Sequence, residues 1–130
     1  MRYGADSRVD LLLEDPARPP CYVEVKSVTL KRGRRAAAFP DAISTRAAKH
    51  ARALAGVARA GGRAVVLFLA QRGDCDELEI AADIDPVYDQ ALGRAMSQGV
   101  EVLCYGCRVR TTAIAVERPL RFRAPARAAE

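Results

Sequence analysis

Residues 21–28 read CYVEVKSV, and apolar and polar side chains alternate along most of this stretch. A period of two predicts a β-strand, because successive side chains of a strand point to opposite faces of the sheet. Glu24 and Lys26 therefore share one face with Tyr22, and the three valines are candidates for the packed side. A carboxylate and an ammonium on one face make this strand the first candidate for chemistry.

A second strand is predicted at residues 8–14, across a turn-rich segment that contains three prolines, so the two strands form a hairpin. Asp10 lies among apolar residues, where an isolated carboxylate is costly unless it is hydrogen-bonded or bound to a cation. Directly opposed residues share a face, so Asp10 joins Glu24 if paired positions sum to an even number, as in 10 with 24. That register leaves a loop of roughly residues 14–21. The tighter pairing of 10 with 25 needs a β-bulge.

The hairpin carries the residue types of a metal-dependent hydrolase. Asp10 and Glu24 offer two hard oxygen ligands for Mg²⁺, and Lys26 places an ammonium beside the metal-bound water. The alternative is that Glu24 and Lys26 are solvated strand residues and that Asp10 is a turn or edge acid. Spacing leaves both interpretations open, because short acidic patterns recur by chance.

The rest of the chain predicts an α/β fold, a mixed β-sheet flanked by helices. Apolar residues at helical spacing indicate a helix over about residues 43–60, capped by Ser44, and Pro86 opens a second helix that ends at Ser97. The apolar segment 63–71 predicts a central strand covered on both faces. Further strands are predicted at residues 100–107 and, at an edge, 108–116.

Three segments show no clear period and are predicted to be irregular. Residues 31–41 contain Gly33 and Pro40 and are typical of a basic loop, and residues 74–79 resemble a turn. Residues 119–130 are basic and rich in alanine and proline, so this end of the chain is expected to fray.

Composition indicates one domain with a core, since half of the 130 residues are hydrophobic. The longest apolar run, residues 64–70, is far shorter than the ~20 residues that cross a bilayer, and the first residues show no leader pattern. We therefore expect a cytoplasmic protein without membrane contact, with reduced thiols. Cys104 and Cys107 have the spacing of a metal knuckle or redox pair, but small thiols also pack well at the end of a buried strand.

Basic residues make nucleic acid a permitted partner. The net charge is +5, and 18 of the 21 basic residues are arginine, whose planar guanidinium suits phosphate. On the first predicted helix, Arg46, Lys49 and His50 occupy one sector beside the apolar face, where they could flank the hairpin. A second basic group precedes this helix and consists of Lys31, Arg32, Arg34 and Arg35.

Several strings of the sequence together resemble the sugar fermentation stimulation protein A (SfsA) family, over residues 3–120. They are the Tyr-Gly pair at 3–4, SRVDLLL at 7–13, CYVEVKSVTL at 21–30, FPDAI at 39–43, Lys-His at 49–50 and GVEVL at 99–103. The resemblance implies a PD-(D/E)xK, restriction-endonuclease-like domain. Asp10 then corresponds to the first acid of that motif, and Glu24 and Lys26 correspond to its E-x-K.

The activity implied by this resemblance is hydrolysis of phosphodiester bonds in nucleic acid, with DNA rather than RNA as the expected partner. Asp10 and Glu24 would hold Mg²⁺ or Mn²⁺, and Lys26 would orient or deprotonate the attacking water. The residues expected to contact nucleic acid are Arg8, Lys31, Arg32, Arg34, Arg35, Arg46, Lys49 and His50. The alternative is a non-catalytic DNA-binding regulatory protein linked to sugar fermentation genes.

Two departures from the family pattern affect these expectations. Family members carry an N-terminal barrel resembling oligonucleotide-binding folds, which we expect to be absent here, so the domain would cover residues 1–120 and a flexible basic tail residues 121–130. In the first helix, Thr45 stands where family members often have an acid. If that acid contributes to metal binding, metal affinity would be weaker here.

Overall fold

The structure is a computed structural model that describes residues 10–110 and 113–125, together with the backbone of residues 2–3 and 7–8. In chain order, the elements within these ranges are β1 (Arg2–Tyr3), β2 (Ser7–Arg8), β3 (Leu11–Asp15), β4 (Arg18–Val28), β5 (Leu30–Arg32), β6 (Ala36–Phe39), α1 (Thr45–Arg59), β7 (Arg63–Ala70), β8 (Glu77–Ile80), α2 (Pro86–Ser97), β9 (Glu101–Val109), β10 (Ile114–Pro119) and β11 (Arg121–Arg123). The mixed α/β architecture predicted from the sequence is confirmed.

The main sheet has five strands in the order β10-β9-β7-β4-β3. β7 pairs in parallel with β4 and β9, and the two outer pairs are antiparallel. Parallel neighbours require a crossover connection, and α1 and α2 lie on the two connections. The expected central position of the apolar β7 is confirmed.

The two faces of the main sheet differ in what covers them. Val66 and Phe68 of β7 pack into the core formed with α1 and α2. Val65 and Leu67 point to the opposite face, where they cluster only with residues of β4. The expectation that β7 is covered on both faces is therefore wrong for the described residues, because both helices pack on the same side of the sheet.

A second sheet, in the order β11-β8-β6-β5, was missed by the sequence analysis. Residues 31–41, expected to be a loop, contain the hairpin of β5 and β6, which turns at Gly33 with a φ of 69°. Residues 74–79 were expected to form a turn, but the second half of this segment belongs to β8, which pairs in parallel with β6. Its alternation of Glu77 and Glu79 with Leu78 and Ile80 is a strand signal that was overlooked.

The expected flexible tail at residues 121–130 is corrected at its beginning. β11 pairs in parallel with β8, and Arg121 and Arg123 form ion pairs with Glu77 and Glu79 at 2.7 to 3.3 Å. Residues 126–130 lie outside the described part of the chain. The expectation of a flexible segment is wrong for residues 121–123, because their arginines are not free in solvent. They have acidic partners on the neighbouring strand β8.

Both predicted helices are present, with bounds close to those expected. Ser44 caps α1, and its Oγ accepts a hydrogen bond from the Ala47 amide at 3.0 Å. α2 has the expected bounds and begins with Pro86. Among the described residues, no helix combines the length and the apolar character needed to cross a membrane.

The N-termini of the two helices are tied together by Asp85, a buried carboxylate. One of its oxygens accepts a hydrogen bond from the Tyr88 amide at 3.0 Å and so caps α2. The other accepts from the Ser44 amide at 2.8 Å, at the start of α1. Asp85 therefore holds the N-terminus of α1 next to the N-terminus of α2.

We expect Asp85→Ala to lower the free energy of unfolding by about 2–4 kcal/mol, because it leaves two backbone N–H donors without their acceptor and removes a helix cap. Denaturant unfolding followed by circular dichroism measures the change. The control is Asp41→Ala at an exposed position, which should change stability by less than about 0.5 kcal/mol. Equal effects of the two substitutions would contradict the role of Asp85.

Candidate active site

The register of the β3–β4 hairpin satisfies the condition set by the sequence. Leu12 pairs with Tyr22 and Leu11 with Val23, so positions sum to 34 and the next pair along this register is 10 with 24. Leu12 and Tyr22 pack against the core on the helix side of the sheet. Extended by one position, this register sets Asp10, which directly precedes β3, opposite Glu24.

The hairpin reaches this register through a tight turn and a bulge, and the expected loop over residues 14–21 is wrong. Asp15 pairs with Arg18, which is an odd register, and the shift lies between Leu13 and Asp15. Two steps on β3 match three steps on β4, so β4 carries the extra residue at the Pro19–Pro20 pair. Proline has no amide to donate to the ladder, which makes this pair a natural bulge.

Asp10 sits at the start of β3, with its carboxylate turned toward the neighbouring strand. Its Oδ2 accepts a hydrogen bond from the backbone amide of Val25 at 2.8 Å. This contact holds Asp10 across from the Glu24–Lys26 segment while leaving the residue exposed. The partner that the sequence analysis required for this carboxylate is therefore, in this structure, a backbone N–H.

Glu24, Lys26 and His50 meet in a buried polar cluster between β4 and α1. The Glu24 Oε1 atom lies 3.2 Å from Lys26 Nζ and 2.9 Å from His50 Nδ1, and the two nitrogens are 3.0 Å apart. Glu24 is 3% exposed and His50 is 7% exposed. The interpretation of Glu24 and Lys26 as solvated strand residues is thus wrong.

The cluster can share its protons in only a limited number of ways. If Nδ1 of His50 carries a proton, it donates to Glu24; if it does not, it accepts from Lys26. In both forms Lys26 can donate to Glu24, so the ammonium stays anchored at the carboxylate. The position of one imidazole proton therefore decides whether His50 is bonded to the carboxylate or to the ammonium.

The pKa of His50 is lowered from its ordinary value of 6.5, first by burial and next by the charge of Lys26. The charge of Glu24 acts in the opposite direction, and smaller effects come from Arg46, which lowers the pKa, and from Asp10, which raises it. His50 is consequently neutral near pH 7. This residue is among the predicted nucleic-acid contacts, and in the structure its Nδ1 atom contacts Glu24 and Lys26.

Tyr88 of α2 is a neighbour of the cluster that the sequence analysis missed. Its hydroxyl is the one buried side-chain oxygen or nitrogen that lacks a hydrogen-bond partner within the described ranges. Burial raises the pKa of Tyr88 well above its usual value, and the charges of Glu24, Asp85 and Cys104 add to the effect. A tyrosine inside a helix, on an apolar face, carries no sequence signal that separates it from an ordinary core residue.

Most of the basic residues before α1 already have acidic partners. Lys31 lies 3.1 Å from Asp74, and two further ion pairs, both at 2.7 Å, join Arg32 to Asp83 and Arg35 to Asp76. Each carboxylate offsets charge that the sequence analysis assigned to phosphate. This group therefore presents less free positive charge than its sequence suggests.

Arg34, Arg46 and Lys49 are exposed members of the predicted nucleic-acid contacts. Arg46 lies near enough to His50 for its charge to lower the histidine's pKa. Arg8 is part of β2, and its side chain lies outside the described residues. Arg46 on α1 is thus the predicted nucleic-acid contact among the described arginines whose charge reaches the cluster.

The thiols show packing rather than metal binding. Cys104 and Cys107 are buried and free, and burial raises the pKa of Cys104 to about 12. No group of three or more histidine, cysteine or acidic side chains in the described part of the chain is placed to hold a metal ion.

Comparison with known proteins identifies relatives along almost the whole chain. The family model described as "Sugar fermentation stimulation protein RE domain" matches residues 1–113. A sugar fermentation stimulation protein homolog of Maricaulis maris is 53% identical over 93% of this chain and 52% of its own length. The corresponding homolog of Rhodospirillum centenum is 51% identical over 95% of this chain and 53% of its own length.

A solved structure is also similar. Pyrococcus furiosus SfsA in complex with Ca²⁺ superimposes with a TM-score of 0.87 and 29% sequence identity, over 95% of this chain and 52% of that chain. This chain therefore spans about half the length of the relatives it matches.

We expect the metal-free protein to lose stability as pH falls below 6.5, because the unfolded chain then binds a proton that the folded state, with its lowered His50 pKa, resists. The loss of stability should extend from pH 6.5 down to the lowered pKa of His50. His50→Gln should remove this part of the pH dependence. Unfolding midpoints in EDTA between about pH 7.5 and about pH 5 provide the measurement.

The chain contains a single histidine, so no other imidazole contributes to this window. A wild-type protein whose stability is the same at both ends of the window, or a His50→Gln variant with the same slope as wild type, would contradict the assigned direction.

Proposed function

Since the chain belongs to the sugar fermentation stimulation protein (SfsA) family, we propose that it is a metal-dependent phosphodiesterase of the PD-(D/E)xK, restriction-endonuclease-like class that acts on nucleic acid. The observation that carries the proposal is the Glu24–Lys26–His50 cluster, because a buried carboxylate, ammonium and imidazole within 3.2 Å of one another are costly to a fold. The β3–β4 register supports it, because one further step along that register sets Asp10 opposite Glu24.

The residues present fit a hard divalent cation that keeps most of its own water. Asp10 and Glu24 supply two carboxylates, and Mg²⁺ commonly binds through one or two carboxylates together with water and substrate phosphate. The Pyrococcus furiosus relative was solved with Ca²⁺, another cation that prefers oxygen ligands. Thr45 offers no carboxylate on α1, which favours weak metal affinity. When bound, Mg²⁺ or Mn²⁺ would supply Lewis-acid polarisation of a phosphoryl oxygen.

Lys26 is the residue to which we assign the stabilisation of phosphate charge. Its side chain is only 14% exposed, and its ammonium is anchored at Glu24. A charge held in place before the reaction costs little reorganisation as negative charge develops on phosphate oxygens. In the same position, Lys26 can orient a water molecule for attack.

We assign to His50 the control of the Lys26 proton. Its Nδ1 atom lies 3.0 Å from Lys26 Nζ, and its lowered pKa keeps it neutral near pH 7. A neutral imidazole can accept a hydrogen bond from the ammonium, which a protonated imidazole cannot do. His50 thus acts as a positioning residue for Lys26.

Nucleic acid, and DNA in particular, is the proposed substrate class. The exposed Arg34, Arg46 and Lys49 are the described residues that we assign to phosphate contact, because their side chains reach the solvent. Lys31, Arg32 and Arg35 hold carboxylates, which offset part of their charge. Few contacts of this kind give weak, sequence-independent and salt-sensitive binding.

A second candidate function is a DNA-binding regulatory protein without turnover, linked to sugar fermentation genes. The threonine at position 45 favours it, because the family often has an acid there. DNA binding without cleavage in any divalent metal would support this candidate over the enzyme.

We expect nicking of plasmid DNA in the presence of Mn²⁺, and Lys26→Ala should lower the rate by about 100-fold or more because the anchored charge is lost. Lys31→Ala is the matched control: it removes the same charge, but the Lys31 ammonium is held by Asp74 at 3.1 Å. The control should stay within about threefold of wild type.

Glu24→Gln keeps the size of the side chain and removes a proposed metal ligand, so it should also abolish nicking. EDTA should stop the wild-type reaction. Nicking that persists in EDTA, or in both Lys26→Ala and Glu24→Gln, would show that another mechanism or a contaminating nuclease is responsible.

We expect DNA affinity to fall as salt rises, with a slope of about 0.9 logarithmic units for each phosphate contact. Arg46→Glu should lower both affinity and slope more than Arg123→Glu, because Arg123 already pairs with Glu77 and Glu79. Fluorescence anisotropy with a labelled duplex in EDTA measures both quantities. A larger loss in Arg123→Glu would place the nucleic acid on a different surface.

A further inference from the structure

The face of the main sheet opposite the helices carries a continuous apolar surface, which we call the open face. It is formed by alternate residues of four adjacent strands: β7 residues pair directly with residues of β4 and β9, and β4 residues pair with those of β3. They line one groove of about 420 Å³. The apolar residues of this groove are Leu11, Leu13, Pro19, Cys21, Val23, Val65, Leu67 and Leu103.

The open face extends to the edge strand β10. Directly paired residues share a face, and strand alternation places Val109 and Cys107 of β9 on the same face as Leu103. Ile114 pairs with Val109, and Val116 pairs with Cys107. The open face therefore spans all five strands of the sheet.

Exposed apolar side chains are concentrated here to an unusual degree. Eight large hydrophobic residues are exposed in the described part of the chain. Two of them, Ile43 and Val87, lie elsewhere. The other six lie on the open face and are Leu11, Leu13, Leu103, Val109, Ile114 and Val116. A contiguous apolar patch of this kind marks an interaction surface, whereas scattered apolar residues do not.

Charges lie at the edge of the groove and have both signs. Asp15 and Arg18 are neighbours across the hairpin turn, and Arg63 forms an ion pair with Glu101 at 3.0 Å. Four of the twelve residues that line the groove are charged, and they are two acids and two arginines: Glu14, Asp15, Arg18 and Arg63. Two such surfaces can therefore meet without like charges being buried against each other, which would be costly.

We propose that the open face is an interface between two copies of this chain, packed sheet on sheet. Five strands at a spacing of about 4.8 Å and about 20 Å of strand length give a flat footprint of roughly 500 Å² on each copy. Two copies then bury roughly 1,000 Å², which reaches the size that a specific interface needs. Sheets stack face to face through such apolar surfaces at about 10 Å.

A second copy suits the open face because a two-fold interface requires one self-complementary patch and no further protein. The interface is independent of the proposed activity. Glu24 and Lys26 point to the helix side of the same sheet. The candidate active site of each copy therefore remains outside the interface. The longer relatives carry additional chain, which is the competing occupant that the experiment must distinguish.

The test is the mass of the protein in solution, by light scattering and sedimentation across a wide range of concentration. The expected wild-type mass is twice 14.1 kDa. Leu13→Glu and Leu103→Glu each place a charge on the open face and should weaken the dimer by at least about tenfold, because burying an unpaired carboxylate is costly. Both side chains are about half exposed, so the fold should tolerate the changes; circular dichroism checks this.

Val87→Glu is the matched control, because Val87 is 54% exposed but lies on α2, on the other side of the sheet. This variant should remain a dimer. A wild-type monomer at every concentration would overturn the proposal, as would undefined aggregates or equal dissociation in Val87→Glu. A monomer that forms a complex only with the additional half of the Maricaulis maris relative would assign the face to that segment instead.

Discussion

The bulge at Pro19–Pro20 is the constraint on which the position of Asp10 in the candidate site depends. A two-residue turn starts the β3–β4 hairpin in an odd register, and that register alone would turn Asp10 away from the Glu24 face. Two prolines without amide hydrogens interrupt the ladder, and the extra residue converts the register to an even one. The shift therefore sets the position of Asp10, whose carboxylate accepts a hydrogen bond from the Val25 amide. The Glu24 cluster has a different origin, because it depends on the packing of α1 against β4.

The Glu24 cluster shows how a fold can hold charges that burial opposes. Lys26 and His50 both contact the same carboxylate oxygen, so the desolvation of each group is partly offset by the others. Burial and the neighbouring ammonium also lower the pKa of His50, so the imidazole remains neutral. Asp85, at the start of α2, fixes the helix N-termini. Tyr88, one turn later, brings close to the Glu24 carboxylate a hydroxyl that has no hydrogen-bond partner within the described part of the chain.

The positions of basic residues in the sequence predict candidate phosphate contacts less well than their ion pairs in the structure do. Lys31, Arg32 and Arg35 form a basic group in the sequence, but carboxylates of later segments neutralise each of them. Exposed arginine on α1 is the better candidate for phosphate contact, and the open face lies on the other side of the sheet. The two sides of the main sheet thus carry different chemistry. The helix side holds the polar cluster to which we assign the proposed activity, and the open face is apolar.

The α/β class, both helices and the central β7 strand could be predicted from the sequence, because period and capping residues are local properties of a few neighbouring residues. The register of the β3–β4 hairpin stayed open in the sequence, because the bulge at Pro19–Pro20 decides it. The second sheet could not, since β6, β8 and β11 are short and their pairing joins segments about forty residues apart. The meeting of His50 with Lys26, the placement of Tyr88, the neutralised arginines and the bare face of β7 were decided only by tertiary structure. The ion pairs of the arginines depend on the pairing of β6 with the distant strand β8, and the other features depend on which side of the main sheet the two helices pack. No local pattern encodes either choice.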